Sequence, residues 1–174
     1  LSIRRQRQMC IRDRSTTTSS NCSSFGHQAL KSNTTGINTA FGFVSLLQNT
    51  TGSRNSAFGE GTLNQNVSGS NNTAVGSSSL GANTSSGNTS IGSLSFRTNT
   101  TGSNNVSVGF QALEYVTGSG NTAIGMYAGG EITNGSTLTS AENCVYIGNS
   151  TRPSANGNTN EIIIGFNNDG NGSN

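Results

Sequence analysis

Side chains able to do acid–base, nucleophilic or metal chemistry are few in this chain, and they are scattered. There is one histidine, His27, and beyond residue 14 the carboxylates are Glu60, Glu114, Glu131, Glu142, Glu161 and Asp169. A triad or a protein-built metal site needs several such groups converging on one point. His27 has no second histidine and no partnered cysteine to work with. A glycosidase pair requires two carboxyls about 5–9.5 Å apart. Glu142 and Glu161 fall near the same end, but a solvated pair is the plainer reading. Repeated calcium loops need an aspartate in every repeat, and Asp169 stands alone. Glycine-rich phosphate cradles need a strand–loop–helix context that is missing. The expectation is a chain that is not an enzyme and holds no cofactor and no metal.

What must position side chains here is an unusual backbone. Gly, Ser, Thr and Asn make up 99 of the 174 residues, only 9% are charged, and there is one Pro and no Trp. Ordinary domains carry about 25% charged residues and about 45–50% apolar ones, so a single conventional core is excluded. Disordered chains are usually rich in Pro, Glu and Lys, and this one is not. No run of about 20 apolar residues predicts a membrane-spanning helix. Five of the nine basic residues (Arg4, Arg5, Arg7, Arg12, Arg14) lie in the first fourteen positions. From Ser15 onward four basic residues face six acidic ones, and the net charge passes from +2 to −2. The string Met9–Arg14 resembles the translation of a sequencing-adapter end. Residues 1–14 are therefore expected to be a non-native, disordered leader, and neither nucleic acid nor membrane contact is expected of the rest.

A period organises that remainder. The pentapeptide Asn-Thr-Ala-apolar-Gly recurs as NTAFG, NSAFG, NTAVG, NTSIG, NVSVG and NTAIG, with degenerate copies CSSFG, CVYIG and EIIIG. The closing glycines are Gly26, Gly42, Gly59, Gly76, Gly92, Gly109, Gly125, Gly148 and Gly165, mostly 16 or 17 residues apart. Four residues after the first six of them stand Leu30, Leu46, Leu63, Leu80, Phe96 and Leu113, followed by polar turns such as NTTG. A unit this short has no room for a helix-containing repeat. It reads as short strand, glycine corner, second short strand and polar turn.

Strand alternation sorts the pentapeptide into two faces. One carries an apolar ladder of Phe25, Phe41, Phe58, Val75, Ile91, Val108, Ile124, Ile147 and Ile164; the other carries small residues such as Ala40, Ala57 and Ala74, as if another backbone approached closely. The two large apolar side chains of one coil fall well short of the entropy lost on ordering it, so coils must stack about 4.8 Å apart. Cys22 and Cys144 lead their pentapeptides seven intervals apart, or roughly 34 Å along such a stack. That excludes an intrachain disulfide and leaves free thiols or interchain pairing. The architecture expected is an all-β parallel β-solenoid (β-roll) of about nine coils over residues 15–174, open at both ends.

Across residues 22–165 the repeat resembles the head repeat of trimeric autotransporter adhesins, and its Leu and NTTG marks resemble repeats of tail-fibre and surface-fibre proteins that precede an intramolecular chaperone domain. The resemblance implies a left-handed roll, three chains side by side, with the pentapeptide's apolar positions pointing inward. It implies an extracellular setting, on a cell surface or a virion. The partners it implies are two further copies of the chain and a host-surface glycan or protein ligand.

Two binding candidates follow. The 23-residue interval between Gly125 and Gly148 holds a loop insertion over 131–140, with Glu131, Thr133, Asn134 and Ser136 as its candidate ligand residues; a tolerated bulge is the alternative. Phe43, Phe110 and Phe166, each following a corner glycine, suit either sugars or a neighbouring protomer. Three copies of His27 on a trimer axis would make a metal site, against a solvated loop histidine. Attachment through a trimeric fibre is the leading expectation. An ice-binding solenoid, from the partial column Thr39, Thr73, Thr89 and Thr122, and a non-catalytic piece of a polysaccharide-active β-helix protein are the alternatives.

Overall fold

The computed structural model describes residues 22–132 and 135–170. The expected leader at 1–14, and Thr133 and Asn134 of the candidate loop, lie outside the described residues. Eleven short strands follow one another: β1 (Ser23–Phe25), β2 (Asn38–Phe41), β3 (Asn55–Phe58), β4 (Thr73–Val75), β5 (Thr89–Ile91), β6 (Val106–Val108), β7 (Thr122–Ile124), β8 (Ala141–Glu142), β9 (Val145–Ile147), β10 (Asn158–Thr159) and β11 (Ile162–Ile164). Nine form one parallel sheet in the order β1-β2-β3-β4-β5-β6-β7-β9-β11; β8 and β10 pair separately, also in parallel. The fold is a parallel β-solenoid. Nine pentapeptides bracket about eight turns, one fewer than the coil count expected.

Register is kept from strand to strand. Phe25 lies over Phe41, Phe41 over Phe58, and Phe58 over Val75. The corners allow this because glycine backbones nest. A Cβ on Gly26 would sit 2.5 Å from the carbonyl oxygen of Gly42, and one on Gly59 2.9 Å from that of Gly76. Both glycines have positive φ, +125° and +133°, which a side chain would resist as well.

The faces are the reverse of the expected arrangement. Ala40, Ala57 and Ala74 are fully buried, whereas Phe41, Phe58 and Ile91 are about 40% exposed. The ladder therefore points out and the small residues point in. The reason is volume. Leu30, Leu46, Leu63, Leu80, Phe96 and Leu113 enter from the opposite arm and are also fully buried. The interior holds a large side chain from one wall only, so the strand supplies Ala or Ser.

The second arm is not the expected strand. Val44 and Leu46 both have positive φ, 51° and 49°, and the same left-handed pair recurs at Ser78 and Leu80. These reversals turn successive peptide planes. The Val44 N–H donates to His27 in the turn before, and the Leu46 N–H donates to Thr62 in the turn after, at 3.0 and 2.9 Å. A left-handed Leu costs roughly 1–2 kcal/mol and persists because the stacked turns hold it there.

Length is fixed in one part of each turn and variable in another. From corner glycine to the next turn's asparagine is seven residues in Gly26–Asn33, Gly42–Asn49 and Gly92–Asn99 alike. From that asparagine to the one leading the next strand is five residues in Asn33–Asn38 but six in Asn49–Asn55. All the irregularity of the period sits in this corner.

Candidate functional site

The broadest chemical feature of the surface is the outer face of the nine-stranded sheet. Two residues of each strand point outward. One column runs Phe25, Phe41, Phe58, Val75, Ile91, Val108, Ile124, Ile147, Ile164; Thr39, Thr73, Thr89 and Thr122 belong to the other, with Val106, Val145 and Ile162. Phe25 and Phe41 stack with centroids 6.2 Å apart, and Phe41 and Phe58 at 5.3 Å and only 6° between ring planes. The apolar stripe is about 38 Å long at the usual strand spacing. Contiguous exposed apolar surface of that extent is uncommon on a monomeric soluble protein.

The interior carries a feature that sequence reasoning missed. The asparagines of the motif are not merely turn formers; they build two buried ladders. In the first, the Asn55, Asn72, Asn88, Asn105 and Asn121 N–H groups each donate to the Oδ1 of the asparagine one turn earlier, at 2.8–3.0 Å. In the second, the Nδ2 atoms of Asn49, Asn66, Asn83 and Asn99 donate to Asn33, Asn49, Asn66 and Asn83 in turn. The ladders are tied together at the turn glycines. The Gly52 carbonyl accepts from both Asn38 (2.8 Å) and Asn49 (3.0 Å), so both its lone pairs are used. The signal was present in the two asparagines per repeat, but their spacing alone resembles ordinary turn chemistry. One consequence is that Asn33, Asn49, Asn66, Asn83 and Asn99, each heading a glycosylation-type triplet, are fully buried.

Cys22 and Cys144 occupy rungs of the first ladder. The Cys22 thiol donates to the Gly36 carbonyl at 3.2 Å, as Asn38 does to Gly52. Cys144 is buried, its N–H donates to Asn121 Oδ1 at 2.9 Å and its thiol reaches Glu142 and Asn158 carbonyls. No disulfide joins Cys22 to Cys144.

No family model, curated protein or solved structure matches this chain.

The remaining candidates are dispersed. His27 is exposed and stacks flat on Phe43, centroids 5.6 Å apart. Phe43, Phe110 and Phe166 are exposed at 51%, 39% and 80%, with Phe110 edge-on to Tyr127. In the insertion, Glu131 and Ser136 are exposed; Glu131 bridges Thr137, while Ile132 and Leu138 anchor the segment in the core. Glu142 is exposed on β8, whereas Glu161 is buried and accepts from Asn158 Nδ2 at 2.7 Å. Glu114 is buried, pairs with Arg97 at 2.8 Å and accepts from Gln111. Among the described residues no three His, Cys, Asp or Glu side chains gather as metal ligands would, and no helix is long and apolar enough to cross a membrane.

Near the C-terminal end Tyr146 is fully buried, and its hydroxyl has no hydrogen-bond partner. Burial first, and then the neighbouring Cys144 thiol and Glu161 carboxylate, push its pKa well above the ordinary phenol value. Its ring lies against Gly129, where a Cβ would come within 2.6 Å of it.

Proposed function

We propose that this chain is a non-catalytic structural and adhesive module: a rod that associates with copies of itself through the outer sheet face, as a homotrimer, and displays its turns to a host-surface glycan or protein. The observation that carries the reading is the outward apolar column. Phe41, Phe58 and Ile91 are held about 40% exposed in a chain otherwise poor in apolar side chains, and a lone rod gains nothing from leaving them wet. The trimeric state, and a place outside the cell on a surface or a virion, come from the resemblance of the pentapeptide repeat to adhesin and fibre proteins.

Sedimentation velocity of the 174-residue chain tests it, with Ile91→Glu as the companion variant. The expected result is a species of three times the chain mass. The variant is expected to fall to monomer while keeping its β circular dichroism. A folded wild-type monomer overturns the reading. A second reading, ice binding, draws on one observation: Thr39, Thr73, Thr89 and Thr122 share the outward face with the apolar column. Thermal hysteresis in the monomeric variant or the wild type would favour it.

A further inference from the structure

Departures from the repeat gather in three successive turns, those that follow Gly92, Gly109 and Gly125. We infer that the second arm of these turns, around Arg97, Glu114 and Tyr127, binds a neutral oligosaccharide; this rests on the display of turns to a surface ligand proposed above, and names the ligand's chemistry and its place on the rod.

Five and six residues after the corner glycine, the turns of Gly59 and Gly76 carry Asn64 with Gln65 and Gly81 with Ala82. The turns that follow place Arg97 and Glu114 at the first of these positions, and Tyr115 and Glu131 at the second. Two residues after the corner, Gln111 is succeeded one turn on by Tyr127, whose ring meets Phe110 edge-on with centroids 5.5 Å apart. These side chains are organised as well as adjacent. Glu114 is 4% exposed, pairs with Arg97 at 2.8 Å and accepts from Gln111 Nε2. The Arg97 guanidinium also lies 5.7 Å from the centre of the Tyr115 ring and donates to its hydroxyl at 3.4 Å. A buried carboxylate thus orients a guanidinium and a carboxamide, while Phe110 and Tyr127 are each left 39% exposed.

That combination suits a sugar. A pyranose has an apolar C–H face and a rim of hydroxyls; rigid aromatic rings suit the first, and a few fixed polar groups suit the second. Arg97 and Glu114 offset each other in charge, and Glu131, exposed one turn beyond Tyr115, adds a carboxylate that repels an anionic ligand. The Arg97 and Tyr127 turns are two turn heights apart, about 10 Å. A short oligosaccharide covers that distance, whereas a protein partner usually needs a footprint of about 800 Å². The insertion also begins at Glu131, and insertions in solenoids often mark the binding face.

The test titrates the 174-residue chain with cellohexaose, mannohexaose and maltohexaose by calorimetry, with hexagalacturonate as the acidic comparison. At least one neutral hexasaccharide is expected to bind. Tyr127→Ala and Gln111→Ala should each weaken that binding by about ten-fold while keeping the β circular dichroism. Lys31→Ala, at the position equivalent to Arg97 in the turn of Gly26, should leave it unchanged. Binding of hexagalacturonate alone, no binding of any neutral sugar, or undiminished binding in either folded variant overturns the inference. Sedimentation of the same samples separates it from the assembly proposed above. A trimer that binds no sugar removes the site and keeps the assembly; a folded monomer that binds one keeps the site and removes the assembly.

Discussion

The turns between residues 33 and 108 and those between residues 109 and 170 are filled in different ways. In the first region each turn is packed by an inward Ala or Ser, a Leu or Phe from the opposite arm, and two asparagines whose amides run along the axis. In the second the asparagine rungs give way to Cys144 and Glu161 in one column, and to Val116 and Ile132 in the other. The strand then supplies the bulk, as Tyr146 and Ile163, and the opposite arm withdraws to Gly129. Constant volume, rather than constant chemistry, is what the stack demands. Polar rungs satisfy it when every donor and acceptor is matched to a neighbour above and below. Apolar plugs satisfy it when the facing wall recedes.

The sharpest way to break the first packing scheme is to remove a leucine from it. Leu80→Ala, at a fully buried position, is expected to lower stability by about 3–5 kcal/mol, read from the urea midpoint at unchanged slope. The second scheme is tested by restoring what it lacks. Gly129→Leu alone is expected to cost about 3 kcal/mol because the new side chain meets the Tyr146 ring. Adding Tyr146→Ala should recover all but about 1 kcal/mol of that, a coupling that a double-mutant cycle measures.

The same ladder column then allows a direct contrast. Asn72→Ala leaves the Asn88 N–H, which donates to Asn72 Oδ1 at 2.9 Å, buried without an acceptor. The expected loss is about 2–3 kcal/mol. Cys144→Ala removes only a weak thiol donor, and its effect on the same unfolding curve should stay near or below about 1 kcal/mol.

The smallest effect at neutral pH belongs to Tyr146→Phe, since the hydroxyl it deletes makes no hydrogen bond; stability should hold within about 1 kcal/mol. At alkaline pH the variant separates from the wild type. The unfolded chain releases the phenolic proton above about pH 10, whereas the folded chain retains it because burial raises the Tyr146 pKa. Tyr146 therefore costs the wild type stability as pH rises past that point, by about 1.4 kcal/mol per pH unit. The Phe variant is expected to lack this increment in unfolding midpoints measured from pH 9 to 11.

The period, the strand positions and the register were legible because Gly26, Gly42 and their successors punctuate the chain where backbones nest. Which face lies inside was not. Alternation says that Ala40 and Phe41 point opposite ways, but not which of them faces the core. The usual preference for burying Phe over Ala misleads once Leu46 has filled the interior from the other side. The second arm was hidden for a steric reason: Val44 and Leu46 at positive φ contradict the local preference of bulky side chains, and only the stack enforces it. Tyr146 and Gly129 were legible singly as departures from the motif. Their compensation belongs to two turns at once and has no signature within either. That the Phe and Thr columns share one face, by contrast, follows from alternation alone.

The corner of variable length joins two internally anchored columns without belonging to either. Gly26–Asn33 and Gly42–Asn49 keep one span, while Asn33–Asn38 and Asn49–Asn55 differ by a residue, and the long stretch between Ile132 and Cys144 falls in the same corner. Foreign segments grafted there would decorate one margin of the shaft at a spacing set by the turn height, leaving the scaffold to be inherited unchanged while its ornament diversifies.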